Sequence, residues 1–308
     1  MPAPPLCLVR FPAFWPTWDH PASGAIGMTR VTALYTHPVK SLHRVSCDFL
    51  DLSPWGPAHD RRWLIVDEAG QFLTQRQHPA MATIHVALFS TPERQDSCPG
   101  TGIPEDPGGG IVLSGPETGP LRIPCPDGSH ALRAVRVWKD RDIPARDAGD
   151  DAAEWLERSL GLKCRLVFMD RPESARKADF GSVSFADGFP LLVTNTASLR
   201  DLNERLDEQV PMTRFRPNIV LNHALPWAED GWIEARIGAA RIAFAKPCSR
   251  CIVTTIDQED GRIPVAGEPL RTLAKFRRQP GGVMFGRNAV ILEPGRIALN
   301  DPVTLVGP

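Results

Sequence analysis

The chain has 308 residues, and 42% of them are hydrophobic, which is enough for a sizeable core and favours two domains. Its 35 lysines and arginines are balanced by 36 acidic residues, so there is no excess of basic charge with which to bind a nucleic-acid polymer. No apolar run approaches the length that crosses a bilayer, so we expect neither an integral membrane protein nor a membrane partner.

The first residues and the cysteines bear on the location of the protein. Residues 1–27 lack the basic start, apolar centre and cleavage site of a secretory signal, and their many prolines predict a weakly structured extension. An arm packed on the domain through Trp15 and Trp18 is the alternative. Seven cysteines without regular spacing argue against a disulfide framework and for a reducing compartment. We therefore expect a cytoplasmic protein.

The chain between residues 31 and 138 has the pattern of short strands. Runs rich in β-branched and aromatic residues are separated by Pro, Gly and Asp. The predicted strands are 31–39, 47–52, 63–66, 72–74, 84–89, 111–114, 121–123 and 131–138. The glycines of segment 97–110 predict a loop rather than a phosphate-binding motif, because no helix-forming segment follows them. A helix is predicted at 147–161, with acidic residues at its start and Gly161 at its end.

The second half of the chain mixes strands with two further helices. The predicted helices are 198–208 and 269–277, and the predicted strands are 164–169, 190–193, 215–221, 232–237, 240–245, 251–256, 289–292 and 303–306. Many short strands with few helices predict a mostly β protein of the α+β class. We expect an extension at 1–27, a β-barrel-like domain at 28–145, and a second β-barrel domain with a few peripheral helices at 146–308.

The run Lys-Pro-Cys-Ser-Arg-Cys at 246–251 carries the sharpest chemical signal. A structural zinc site needs more paired ligands than the second half offers. A thioredoxin-type pair would precede a helix, whereas the β-branched residues after Cys251 predict a strand. A third interpretation is a single soft thiolate at the start of that strand, with Lys246 and Arg250 favouring ionised sulfur and an anionic ligand. Two buried cysteines beside a turn are the structural alternative.

Four other segments place cations, an amide and an acid where a ligand can approach. They are His-Pro-Val-Lys-Ser at 37–41, Asp-Arg-Arg-Trp at 60–63, Phe-Ala-Asp-Gly-Phe-Pro at 185–190 and Phe-Arg-Pro-Asn at 215–218. Each alone is typical of a turn or a solvated charge. In this order, together with the cysteine run, they resemble the MOSC proteins that carry an N-terminal β-barrel domain. That family includes amidoxime-reducing components and bacterial proteins that detoxify N-hydroxylated bases, and the resemblance extends from residue 31 to residue 306.

The resemblance implies a molybdenum cofactor, in which a pterin dithiolene and a protein thiolate bind the metal. Cys251 matches the metal ligand, and Asp187 matches an acid close to the metal that serves as a proton relay. The residues that match pterin-binding and phosphate-binding positions are Lys40, Ser41, Arg61, Arg216, Asn218, Ser249 and Arg250. Trp138 replaces a cofactor-contacting histidine of the mitochondrial relatives, so we expect stacking there. Cys248 is expected to be a packed neighbour.

The function that the resemblance implies is reduction of N-hydroxylated small molecules, converting N–OH to N–H. The alternative is sulfur transfer or cofactor maturation through a Cys251 persulfide, although the chain is too short to include the pyridoxal-phosphate domain that generates such sulfur. A non-catalytic pterin carrier is a third interpretation. No cysteine follows Cys251, and the earlier ones do not form the run that holds an iron–sulfur cluster. We therefore expect electrons from a separate ferredoxin-like or flavin-containing donor.

Overall fold

The computed structural model describes residues 28–90, 109–171, 176–178 and 181–307. The predicted extension at 1–27 and most of the predicted loop at 97–110 lie outside these residues. Within them the chain is mostly β-strand with three α-helices and several 3₁₀ turns, which confirms the predicted fold class. None of these helices is long and apolar enough to cross a membrane.

The first half of the described chain is built from short strands and one helix. The strands are β1 (Val31–Thr36), β2 (Val45–Cys47), β3 (Phe49–Ser53), β4 (Gly56–Pro57), β5 (Trp63–Val66), β6 (His85–Phe89), β7 (Gly110–Ser114), β8 (Leu121–Pro124), β9 (Leu132–Val137), β10 (Asp140–Asp147) and β11 (Arg165–Phe168). Helix α1 (Asp150–Leu160) lies between β10 and β11, and a 3₁₀ turn (Pro79–Thr83) precedes β6.

The second half contains the longest strands. Its strands are β12 (Lys177–Ala178), β13 (Gly181–Ser182), β14 (Leu191–Asn195), β15 (Ile219–Leu221), β16 (Glu234–Ile237), β17 (Ala240–Arg250), β18 (Arg278–Gln279), β19 (Gly282–Glu293), β20 (Gly295–Ala298) and β21 (Val303–Val306). The helices are α2 (Thr196–Asn203) and α3 (Leu270–Phe276), and the 3₁₀ turns are Met212–Phe215, Ala228–Gly231 and Ile252–Thr255.

The largest sheet contains strands from both halves of the described chain. Its strand order is β2-β1-β15-β14-β19-β17-β16-β21, with β18 also paired to β19. All pairs are antiparallel except β14 with β15. Val31 and Leu34 of β1 lie in one buried core with Leu191, Ile219 and Phe244 of the second half. Strand β1 therefore belongs to the sheet of the second half, although the local sequence pattern assigns it to the first domain.

A second body contains the sheet β5-β11-β10-β9 and the sheet β6-β7-β8. Helix α1 packs on it, with Trp155 and Leu156 in the same core as Trp63 and Ile65. Carboxylates in the first turn of α1 interact favourably with the helix dipole, and Gly161 ends the helix with φ 70°. The predicted division at residue 145 does not coincide with a packing boundary, because α1 and β11 both pack on the first half.

Strand β10 is an element that the sequence pattern does not predict. Pro144 and a run of charged residues argue against a strand there. In the structure Ile143, Ala145 and Asp147 are buried while Pro144 between them is exposed, so the segment alternates with the period of a half-buried strand. Asp147 is tolerated at a buried position because Arg133 and Arg165 bind its carboxylate.

Candidate functional site

A solvent-open cavity lies where the two bodies meet, and it encloses about 840 Å³ of space including its mouth. The structure brings eight of the nine predicted site residues to its wall: Lys40, Ser41, Arg61, Asp187, Arg216, Asn218, Arg250 and Cys251. They come from both halves of the chain and from loops at the ends of strands, so the cavity depends on the packing of the whole molecule.

Cys251 lies immediately after the last residue of β17 and caps a 3₁₀ turn. We predicted a strand from 251 to 256, and that prediction is wrong. The hydroxyls of Thr254 and Thr255 donate to the carbonyls three residues earlier, Cys251 and Ile252, at 2.9 and 2.7 Å. These local bonds favour a turn over the extended conformation that β-branched residues otherwise prefer. Cys251 therefore stands at the end of a strand rather than at the start of one.

Arg76 is the site residue that the sequence did not reveal. Its Nη2 donates to the Cys251 Sγ at 3.2 Å, and its guanidinium lies 4.5 Å from the centre of the Trp138 ring. The residue sits in the polar run after the predicted strand 72–74, where a lone arginine is typical of a solvated surface. Only the three-dimensional structure shows that this cation from the first half faces the cysteine of the second half.

Asp187 forms an ion pair across the two halves. Lys40 Nζ donates to its Oδ1 at 2.5 Å and to the Phe185 carbonyl at 2.8 Å, and Trp138 Nε1 donates to the same Oδ1 at 2.9 Å. Desolvation by the surrounding cavity wall would by itself raise the pKa of Asp187, but the charge and hydrogen bond of Lys40 outweigh it and lower that pKa well below its usual range. Burial also lowers the pKa of Lys40, against the opposing effect of Asp187.

Phe185 explains why this ion pair forms. Its side chain is fully buried in a core with Leu64, Val66 and Val167 of the first-half sheet. The segment that leads to Asp187 is therefore anchored on this second body, although it follows the strands of that body in sequence by many residues. The carboxylate side chain itself is 66% exposed toward the cavity. Its second oxygen is thus open to a ligand.

Asn218 is fully buried, and its amide is occupied by protein groups. Its Oδ1 accepts from Arg61 Nη1 at 3.1 Å and from the Leu192 amide at 3.2 Å. Its Nδ2 donates to the Tyr35 carbonyl at 3.2 Å and to Asp60 Oδ1 at 3.1 Å. An amide has two donors and two acceptor positions. Asn218 therefore holds Arg61 and Asp60 in place at the cavity wall.

Asp60 is buried behind Arg61. Arg61 Nη1 donates to its Oδ2 at 2.5 Å, and the His37 backbone amide donates to its Oδ1 at 2.8 Å. Burial by itself would raise the pKa of Asp60, but the adjacent Arg61 charge and these hydrogen bonds lower it to about 2. Burial, together with Arg216 and Arg61, lowers the pKa of His37 well below its usual range. The carboxylate is therefore ionised and the imidazole neutral near pH 7.

Arg216 has one side-chain hydrogen bond and no carboxylate partner among the described residues. Its Nη1 donates to Gln258 Oε1 at 2.8 Å, and no carboxylate of the described residues lies within salt-bridge distance. Burial, followed by the charge of Arg61, lowers the pKa of Arg216 to about 9. A partly buried guanidinium without an anion beside it is costly, so this position is suited to an anionic ligand.

Ser249 is the predicted site residue that does not line the cavity. It is exposed, and its hydroxyl donates to the Gly281 carbonyl at 2.9 Å. Successive side chains of a strand point to opposite faces, and its neighbours Cys248 and Arg250 both face the cavity. Arg250 Nη1 contacts the Cys248 Sγ at 2.9 Å and its Nη2 donates to the Phe215 carbonyl at 2.7 Å. Cys248 is thus a wall residue bound by Arg250.

Backbone conformations at the cavity are unusual. Of the eight non-glycine residues with positive φ in the described chain, four line it, and these are Ser41, Arg61, Trp138 and Arg216 with φ 69°, 51°, 55° and 52°. The left-handed region costs energy for residues with a Cβ and is concentrated at functional sites. The predicted strand 215–221 is interrupted here, since the turn Met212–Phe215 ends at Arg216 and β15 begins only at Ile219.

A free cysteine and converging cations line a cavity between two β-rich bodies, and this arrangement points to the class of protein. Residues 181–304 match the MOSC domain, and residues 28–163 match the MOSC N-terminal beta barrel domain. The second of these matches ends close to the end of α1, in agreement with the packing of that helix on the first half.

Named relatives span almost the whole chain. Mitochondrial amidoxime-reducing component 1 of Mus musculus is 35% identical over 90% of this chain and 82% of that protein. The component 1 of Homo sapiens is 31% identical over 95% of this chain and 87% of that protein. Mitochondrial amidoxime reducing component 2 of Bos taurus is 30% identical over 89% of this chain and 82% of that protein. The chain belongs to this MOSC family, which confirms the resemblance seen in the motifs.

The predicted cytoplasmic location is wrong by the same comparison, because these relatives are all named as mitochondrial proteins. The prediction rested on unpaired cysteines. Free thiols indicate a reducing environment, and such an environment is not restricted to the cytoplasm.

Proposed function

We propose that this protein is a molybdenum-cofactor-dependent reductase of N-hydroxylated compounds. One observation supports the proposal above the others: the Cys251 thiol and five cationic side chains line the same cavity. Those cations are Lys40, Arg61, Arg76, Arg216 and Arg250, and Asp187 is the one carboxylate among the lining residues. The names of the relatives, amidoxime-reducing components, agree with this choice of substrate class.

The residues fit a phosphate-bearing pterin cofactor. Lys40 and Arg61 are neutralised by Asp187 and Asp60, whereas Arg76, Arg216 and Arg250 have no carboxylate partner among the described residues. The remaining positive charge at the wall therefore favours an anion, and guanidinium groups bind phosphate through paired hydrogen bonds. Ser41 and Asn218 stand at the same wall. We propose that Lys40, Ser41, Arg61, Arg216 and Arg250 bind the cofactor, with Asn218 holding Arg61.

The thiol fits a soft metal. A cysteine sulfur is the protein ligand that suits molybdenum beside the two sulfurs of a dithiolene. Arg76 donates a hydrogen bond to the Cys251 sulfur and places a positive charge beside it. When it is bound, the cofactor supplies the two-electron chemistry that removes oxygen from the N–OH group.

The remaining groups bind substrate. Because Lys40 keeps Asp187 ionised and lowers its pKa, Asp187 acts near pH 7 as a carboxylate that accepts N–H hydrogen bonds rather than as a proton acceptor. Its open oxygen can bind the N–H groups of an amidoxime. Trp138, which is 46% exposed, holds the other oxygen of Asp187 through its indole N–H. We propose that electrons come from a separate ferredoxin-like or flavin-containing protein.

The test is to purify the protein from a host that makes the cofactor, measure molybdenum and pterin per chain, and assay benzamidoxime with reduced viologen as the electron donor. We expect the molybdenum content per chain to be nearly equal to the pterin content per chain. We also expect the protein to convert benzamidoxime to benzamidine. Cofactor-loaded protein that does not reduce benzamidoxime or another N-hydroxylated base would contradict the reductase function. Protein that carries sulfane sulfur on Cys251 and no molybdenum would favour the sulfur-transfer alternative.

A further inference from the structure

Two buried glutamines form a reciprocal amide pair between the halves of the chain. Gln75 Nε2 donates to Gln258 Oε1 at 3.1 Å, and Gln258 Nε2 donates to Gln75 Oε1 at 3.0 Å. Gln75 is 0% exposed and Gln258 is 3% exposed. Gln75 lies in the part that matches the N-terminal barrel, and Gln258 lies in the part that matches the MOSC domain. The pair therefore joins the two bodies directly beneath the cavity.

Each glutamine also binds a residue of the cavity wall. Gln258 Oε1 accepts from Arg216 Nη1 at 2.8 Å, and Gln75 Nε2 donates to the Ser41 carbonyl at 2.8 Å. The last amide hydrogen of Gln258 goes to the Ile256 carbonyl at 3.1 Å. All four amide hydrogens of the pair are thus used, so the orientation of both side chains is fixed.

The two wall residues need such support. Ser41 and Arg216 both have left-handed backbone conformations, with φ 69° and 52°. Arg216 keeps its partly buried charge without a carboxylate partner in the described chain, and the hydrogen bond that it makes there to a protein side chain is the bond to Gln258. A neutral amide oxygen orients the guanidinium and leaves its charge uncompensated. A carboxylate in the same place would compete with an anionic ligand.

We infer that Gln75 and Gln258 are positioning residues that couple the two halves and aim Arg216 and the Ser41 loop at the bound cofactor. The inference rests on the proposed function, since it assigns the pair a role at the same site. Groups that orient the residues in direct contact with a metal or cofactor typically change its affinity by about 10–100-fold when they are removed. Cofactor retention is therefore the quantity to measure.

The experiment compares full-length Gln75→Leu, Gln258→Leu, the double variant and a control, Ser198→Ala, with the wild type. Ser198 is fully buried and binds Glu229 Oε2 at 2.7 Å, and it does not line the cavity. Each protein is produced in a cofactor-competent host and dialysed, after which molybdenum and pterin per chain and the melting temperature are measured. We expect each glutamine variant to lose cofactor, with affinity lower by on the order of tenfold, and Ser198→Ala to retain it despite a lower melting temperature.

The double variant separates positioning from stability. Replacing both partners leaves no unpaired amide at the pair, so its melting temperature should fall by less than the sum of the single changes. Its cofactor content should stay as low as in the worse single variant, because Arg216 and Ser41 are still released. Wild-type retention in the glutamine variants, retention that follows melting temperature through all five proteins, or recovery of cofactor in the double variant would each overturn the inference. A wild type without cofactor would instead refute the proposed function.

Discussion

Asp60→Asn tests whether the buried carboxylate behind Arg61 stabilises the site through its charge. Oδ1 of Asp60 accepts from the backbone amide of His37 and from Asn218 Nδ2, and an asparagine oxygen there can accept the same bonds. Oδ2 accepts from Arg61 at 2.5 Å. In the variant an NH₂ group faces the N–H of Arg61, so two donors meet in a buried place and the charge that balances Arg61 is lost.

The size of the effect follows from the pKa of Asp60, which is lowered from 3.8 to about 2. A shift of this size corresponds to roughly 2 kcal/mol of stabilisation of the folded state. Because the pKa is lowered in the folded protein, this contribution is complete above about pH 4 and is lost as the pH falls toward 2. At pH 7 we expect the melting temperature of the variant to be lower by about 3 °C, because the unfolding entropy of a chain of 308 residues is roughly 0.65 kcal/mol/K.

The assay is a series of thermal melts of wild type and Asp60→Asn between pH 7 and pH 3. The difference between them should be largest near neutral pH and should narrow below about pH 4. Asp51→Asn is the matched control, because Asp51 pairs with Arg296 at 2.7 Å on the surface, where the arginine is 59% exposed. Such exposed pairs contribute about 0–1 kcal/mol. Equal losses in the two variants, or a loss in Asp60→Asn that does not change with pH, would refute the reasoning.

Three further predictions concern the cofactor, the electron donor and a buried acid. Lys40→Ala and Arg216→Ala should each lower pterin content, because an anionic ligand between two bodies needs cations from both. Unchanged pterin content in Lys40→Ala would show that the first half of the chain does not contribute to cofactor binding. With NADH and benzamidoxime, the purified protein should turn over only when a redox protein or reduced viologen is added, and turnover without one would contradict a separate donor. Burial raises the pKa of Glu229 from 4.5 to about 7, so its ionisation destabilises the fold as the pH rises through that range. Glu229→Gln should therefore raise the melting temperature more at pH 8 than at pH 5, and a gain that is equal at both values would contradict this.

The sequence motifs identify residues that meet in one cavity more readily than they identify which strands pair with each other. The predicted ligands Lys40, Asp187 and Cys251 reach one cavity because each is part of a motif at the end of a strand, where a short pattern of cation, acid or thiol is visible. Arg76 carries no such pattern and was missed. Gln75 and Gln258 are polar residues that are separated by most of the chain, and only their burial together makes them informative.

Long-range strand pairing and local turns account for the errors in the predicted fold. The apolar alternation of β1 identifies a strand and does not identify its partner, so its place beside β15 could not be predicted. Around Cys251 the hydroxyl-to-carbonyl bonds of Thr254 and Thr255 override their β propensity. Ser249 matched a motif position, but the alternation of β17 turns it away from the cavity.

The most direct test of the account is the metal content of Cys251→Ser beside that of Cys248→Ser. Both cysteines line the cavity, and the two substitutions are chemically identical, so each variant is the control for the other. A serine hydroxyl is a harder ligand that stays protonated near neutral pH. We predict that Cys251→Ser loses molybdenum and benzamidoxime reduction while Cys248→Ser keeps most of both. Equal molybdenum in the two variants, whether retained or lost, would contradict the assignment of Cys251 as the metal ligand.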